Sequence, residues 1–167
     1  MAIYRVKQFM WAITARFKPV DTTIIKKYLN KDEEKIFNKL KISDKHHCIR
    51  VCNDALNRYK KFNSDIDEKK LAKIALLHDV GKSTKSLNVI DKSVLVILDK
   101  VTNGDLKKYK NNKKVDIYYN HPKKSVKLLK KIDKYDNEFL EAVEKHHYKK
   151  VNSNIYLKII KEADDNS

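Results

Sequence analysis

Apolar side chains in this chain recur at three- and four-residue steps, the spacing that lines one face of a helix. Ile3, Val6, Met10, Ile13 and Phe17 form the first stripe and predict an amphipathic helix ending before Pro19. Asp21 or Thr22 is placed to cap a second, short helix, and Asp32 a third running through Leu40. Ser43 or Asp44 caps a longer one whose stripe is Cys48, Val51, Cys52, Ala55, Leu56 and Tyr59. Asp67 opens the next, in which Leu71, Ala72, Ala75 and Leu76 lead to His78, with Gly81 where a helix C-terminal residue belongs. The run from Val94 to Val101 is rich in β-branched residues, yet Val94, Ile97, Leu98 and Val101 keep helical spacing, and Asn103-Gly104 stops it. The lysine- and asparagine-rich stretch from Asp105 to Asp116 reads for the most part as a mobile surface loop. Pro122 suits the first position of a helix through Lys131, and two more helices are expected, from about Asn137 to Tyr148 and from Asn154 onward. The pattern predicts an all-α fold, a compact bundle of roughly seven to nine helices, without internal repeat, coiled-coil register or interdomain linker.

Composition supports this picture and narrows it. A length of 167 residues suits one domain with one substantial core, with residues 1–40 read as a helical extension and 43–167 as the part that carries the chemistry. Only 2 Gly and 2 Pro leave hairpins few of the residues they prefer. The net charge of +16 suits a phosphate-rich partner, but Arg occurs only at positions 5, 16, 50 and 58 while lysine is scattered throughout. Arg dominates bidentate recognition of phosphate and bases, so the charge reads as compositional bias and a nucleic-acid partner is not expected. Tyr118 and Tyr119 beside the lysine-rich stretch are the one hint of a stacking surface. Cys48 and Cys52 share a helix face and read as small core residues in a reducing compartment. The apolar run from Phe9 to Ile13 is too short to span a bilayer and no cleavage pattern follows it, so a cytoplasmic protein with no membrane partner is expected.

The candidate chemistry lies in the helical phase of the histidines and aspartates. His47 falls on the edge of the apolar face shared by Val51 and Ala55, whereas His46 falls with Arg50, Asn53 and Asn57 on the wet face. His78 and Asp79 extend the stripe of Leu71, Ala72 and Ala75. His146 and His147 follow Phe139, Ala142 and Val143, and Asp164 continues Leu157 and Ile160 while Asp165 points away. Inward carboxylates are costly unless paired or bound to a cation, and imidazole with carboxylate suits Fe, Mn, Zn, Co or Ni better than Ca.

Taken in order, His47, then His78-Asp79 within Leu-Leu-His-Asp-Val-Gly-Lys, then Asp164 after Ala163, the chain resembles the HD-domain superfamily of metal-dependent phosphohydrolases. The segment His47-Cys-Ile-Arg-Val is similar to that family's first ligand segment. His121 in Asn-His-Pro and the His146-His147 doublet resemble its HDIG and HD-GYP-like branch, although Tyr-Lys-Lys-Val stands where Gly-Tyr-Pro would follow. The resemblance implies a helical bundle with the active site between helices and two metal ions, Fe or Mn first and Zn, Ni, Co or Mg as further options. It implies that His47, His78 and Asp164 hold one ion, that His121, His146 and His147 hold the other, and that Asp79 bridges them. Such a pair shares a hydroxide that attacks a phosphate ester, with Lys82 donating to a phosphate oxygen. The expected substrate is a small phosphorylated molecule, a nucleotide by preference. A di-iron oxygenase and a non-catalytic nucleotide- or metal-binding module are the alternatives.

Overall fold

The computed structural model describes residues 18–62, 66–84, 89–109, 111–148 and 153–167, so the helix expected over Ile3 to Phe17 lies outside the described residues. Eight α-helices follow in order: α1 (Thr22–Tyr28), α2 (Lys31–Asn38), α3 (Ile42–Phe62), α4 (Glu68–Leu77), α5 (Val89–Val101), α6 (Lys113–Leu129), α7 (Asn137–Lys145) and α8 (Ile155–Asp165). Two 3-10 turns, Val80–Thr84 and Asp105–Tyr109, sit before α5 and after it. The fold is all-α, and no strand occurs among the described residues.

Side-chain caps set the starts. Asp21 accepts from Thr23 N, Asp67 from Lys69 N and Lys70 N, Asp136 from Phe139 N and Asn154 from Leu157 N, each satisfying amides that a first turn leaves open. Of the first three starts, two differ from the sequence pattern. α2 begins one residue after Asn30, which forms a capping box with Glu33, and Asp32 lies inside the first turn. α3 begins at Ile42, which puts Ser43 and Asp44 inside the helix instead of at its cap.

The core is organised around α4, whose Leu71, Ala72, Ile74, Ala75, Leu76 and Leu77 are all 0% exposed. A helix apolar on every side must be enclosed, and α4 packs against α1, α2, α3, α7 and α8. Ile25, Tyr28, Leu29, Ile36, Phe37 and Leu40 of the first two helices and their flanks join the same core. Glu33, fully buried, pins this region. One carboxylate oxygen accepts from Asn30 N at 2.7 Å, the other from Lys73 Nζ at 2.7 Å and Tyr135 Oη at 2.9 Å. Cys48 and Cys52 are buried free thiols, and burial pushes the Cys52 thiol up to about 12.

A second, smaller cluster joins Leu95, Leu106, Val115 and Ile117, and it corrects the expectation of a mobile loop over Asp105 to Asp116. Leu106 is 8% exposed and anchors the 3-10 turn, Asn112 caps α6, and that helix is under way by Lys113. Charge and amide content disguised a stretch that Leu106 and Val115 anchor to this cluster. Gly104, with φ of 88°, and Asn103, with φ of 49°, end α5 as expected.

Candidate metal centre

The enclosed helix α4 ends at Leu77, so the next two residues emerge inside the bundle. His78 and Asp79 are both 0% exposed. The turn that follows is pressed on α6. Gly81 N donates to Ser125 Oγ at 2.8 Å, and a Cβ on Gly81 would stand 2.1 Å from the His121 carbonyl oxygen and 2.5 Å from Ser125 N. Gly81 is therefore required by close backbone approach and not, as its position after a helix suggested, by a left-handed helix end; its φ is not positive.

That contact brings His121 to His78-Asp79. Pro122 was expected to open a helix, but α6 runs straight through it. A proline has no N–H to give the carbonyl four residues back, which here is Tyr118. His121 Nδ1 donates to that oxygen at 2.9 Å and shares the Ile117 oxygen at 3.0 Å. The same device recurs at two helix ends, where the last carbonyls lack amide partners within the helix. His78 Nδ1 donates to Ala75 O at 2.8 Å, and His146 Nδ1 to Val143 O at 2.7 Å. The expected helix to Tyr148 stops at Lys145, so the His146-His147 pair lies in the turn beyond α7.

A backbone carbonyl only accepts, so each of these three rings carries its proton on Nδ1 and turns the Nε2 lone pair inward. The lone pairs converge on two carboxylates. Asp79 Oδ2 lies 3.5 Å from His78 Nε2 and 3.6 Å from His47 Nε2, while Oδ1 lies 3.2 Å from His121 Nε2 and 3.9 Å from His146 Nε2. Asp164 Oδ1 lies 2.9 Å from His47 Nε2 and 3.9 Å from His78 Nε2, and its Oδ2 is 3.5 Å from His147 Nδ1. His147 Nε2 stands 3.1 Å from His121 Nε2. All seven predicted ligands thus meet in one cluster from five segments. The two residues read as outward stand apart from it: His46 Nε2 faces Lys18 O at 3.2 Å, and Asp165, its side chain 63% exposed, pairs with Lys161 at 3.3 Å.

Charge completes the description. Burial alone would raise both carboxyls, but the Lys82 ammonium and His78 hold Asp79, and His47 and His78 hold Asp164, well below the usual carboxylate range. Burial pushes His121 and His146 down, assisted by Lys82 at the former and by His147 and His78 at the latter, which favours the neutral ring at both. Burial is the largest influence on His78 and would lower it too, but the charge and hydrogen bonding of Asp79 together with the Asp164 charge turn the net shift upward. Lys82 was expected to face a phosphate; its Nζ is hydrogen-bonded to Asp79 Oδ2. The Asp79 and then Asp44 carboxylates raise its pKa against burial. Asp44, 3% exposed and one turn before His47, is a member of this surrounding shell that the sequence pattern did not single out.

Whether these groups suit a metal is decided by three atoms. His78 Nε2, His146 Nε2 and Asp79 Oδ1 are buried without hydrogen-bond partners, His121 Nε2 approaching the last without hydrogen-bond geometry. Unpaired buried acceptors are costly, and three pointing at one another suit a cation. Ring nitrogens and carboxylate oxygens form three overlapping groups whose atoms lie within 4.8 Å: His121, His146 and His147; His47, His78 and Asp79; and His78, His146 and Asp164. Carbonyl-anchored imidazoles with carboxylates are the arrangement by which proteins orient metal ligands.

A family model described as the HD domain matches residues 45–166, a span that opens just before His47 and closes just after Asp164. The chain belongs to the HD domain family. Membership carries metal-dependent hydrolase chemistry as the family's general activity. No curated protein and no solved structure matches the chain. No helix among the described residues of this HD domain is long and apolar enough to cross a membrane.

Proposed function

We propose that this HD domain is a phosphohydrolase with a dinuclear metal centre, acting on a phosphate ester and by preference on a nucleotide. The observation that carries the reading is the division of Asp79, one carboxylate oxygen toward His47 and His78 and the other toward His121 and His146. A carboxylate so placed can bridge two ions, with His47, His78 and Asp164 on one side and His121, His146 and His147 on the other. Iron and manganese suit this nitrogen- and oxygen-rich set best, with Zn, Ni, Co or Mg also compatible.

Two ions in such a site supply a water-derived nucleophile near neutral pH and neutralise charge on the phosphoryl oxygens. The protein's own share is positional. His78, His121 and His146 are locked by their backbone carbonyls, so their lone pairs need no reorganisation when the centre is loaded. His147, with its side chain 48% exposed, is the most exposed of the seven groups and marks the side from which a substrate would approach. Lys82 keeps its proton and lies against Asp79, within reach of a phosphate held at the centre; there it donates to a non-bridging oxygen as negative charge accumulates.

The test is metal analysis of protein purified without a chelating tag, paired with assays on nucleotides, other phosphomonoesters, phosphodiesters and dinucleoside polyphosphates with added Mn or Fe. About two equivalents of metal with turnover of a phosphorylated substrate supports the proposal. Absence of uptake on titration overturns the metal centre, and metal uptake without turnover of any of these overturns the phosphohydrolase.

A further inference from the structure

We propose that α5 and the cleft beside it dock this HD domain on the surface of an anionic lipid bilayer. The inference goes beyond the reading of the metal centre and stands without it. An apolar stripe on a helix ordinarily turns to the core. On α5 it turns the other way. Val94, Ile97, Leu98 and Val101, at i, i+3, i+4 and i+7, are 47%, 60%, 41% and 73% exposed, while Leu95 faces the small cluster. Contiguous exposed apolar surface of this kind marks an interaction site.

Next to the ridge opens a cleft of about 470 Å³, walled by Val94, Leu98, Leu106, Tyr109 and Val115 and rimmed by Lys108 and Lys114, which pair with Asp105 and Asp91. That volume lies within the range of small-ligand sites. Apolar walls match the acyl chain of a lipid, and the exposed lysines around the cleft match a negatively charged headgroup. The charge around it is complementary to such a surface. Among the described side chains of this region Lys100, Lys107, Lys108, Lys113 and Lys114 are exposed and stand against Asp91, Asp99 and Asp105, a surplus of two. A basic helix with an apolar ridge sits at the headgroup boundary of anionic bilayers, the ridge entering the acyl region and the lysines meeting phosphate.

The same features argue against other occupants. Two copies meeting through this face would bring equal positive surpluses together. The ridge is aliphatic, and Tyr109 is the one aromatic ring among the residues that line the cleft, short of the row of rings on which successive bases stack. α5 is also tied to the helix that carries His121: Tyr119 Oη donates to Asp99, and Lys114 pairs with Asp91 at 2.7 Å. A surface that holds α5 therefore holds the metal centre near it. The sequence pattern alone predicted no membrane partner, because the side to which a stripe turns is decided by packing.

Full-length protein sedimented with vesicles of phosphatidylcholine, or of phosphatidylcholine and phosphatidylglycerol in equal parts, tests the proposal. Binding to the anionic vesicles is expected to be at least about tenfold tighter, and the paired substitution Ile97→Ser with Val101→Ser to weaken it by about tenfold or more. Both positions are exposed, so the variant should keep its circular dichroism and its metal uptake; Lys100→Glu, at a third exposed position, should weaken binding through charge alone. Failure to bind, or binding that the paired variant retains, overturns the proposal, the latter by assigning attraction to bulk charge. A drop in oligomeric mass of the variant would instead assign the ridge to a second copy. Protection of residues 94–101 from hydrogen exchange without vesicles would assign it to another part of the chain.

Discussion

Leu71 to Leu77 on α4 and Val94 to Val101 on α5 are apolar stretches of similar length in opposite solvent environments. The apolar residues of the first are 0% exposed; four of the second's face solvent. Composition does not separate them, since each holds six apolar residues, interrupted by Lys73 in the first and by Asp99 and Lys100 in the second. Neighbours do: α4 is enclosed by five helices, whereas α5 rests on α6 and the turn at Asp105–Tyr109. The bundle around α4 therefore behaves as a rigid frame and the α5 wing as an appendage with a four-residue core. α6 belongs to both, with Val115 and Ile117 in the wing and Leu129 in the bundle, and His121 sits between them.

The comparison can be sharpened first at the centre of the frame. Asp79→Ala should abolish metal uptake and lower any turnover by at least ~10²–10³-fold, read by elemental analysis and assay. If uptake survives, the frame's buried acids are structural. Glu33→Ala should destabilise the protein by about 3–5 kcal/mol in urea unfolding, because Lys73 loses its buried charge partner along with the contacts of Tyr135 and Asn30 N. Ile97→Ser in the wing should change stability by less than about 0.5 kcal/mol. Comparable losses at the two positions would remove the distinction between frame and wing.

Pro122→Ala tests the helix the two regions share. Alanine returns an amide to the Tyr118 carbonyl and competes with His121 Nδ1, so the melting temperature should rise while metal affinity falls about 10–100-fold. Calorimetric titration with Mn, beside a thermal melt, reads both. A merely structural proline would not split the two in opposite directions. The smallest effects are expected at His46→Ala and Asp165→Ala, each within about 0.5 kcal/mol and with metal content unchanged. Loss of metal in Asp165→Ala would mean that α8 presents another face.

Much of the cluster was legible because helical phase is local. His47, His78, Asp79, His146 and Asp164 continue stripes visible within one or two turns, and the family resemblance added His121. The all-α class followed from the same periodicity and the scarcity of Gly and Pro. What escaped depends on contacts between segments distant in sequence. Pro122 reads as a helix start until the ring of His121 is seen to satisfy the carbonyl it frees. Asp105 to Asp116 reads as loop until Leu106 meets Leu95 and Val115. Gly81 reads as a helix end until α6 is seen to press on its α-carbon.

The sequence by itself determined which side chains share a face, because backbone geometry fixes the 3.6-residue repeat whatever lies outside the helix. It pointed to the caps at Asp21 and Asp67 for the same reason, since a first turn's open amides are met within three residues. Only the tertiary structure decided which faces found partners: that α4 was enclosed and the α5 ridge was not, and that Asp79 turned its two oxygens to different histidines. Burial is a property of the neighbours that arrive, and their arrival depends on the packing of the whole chain.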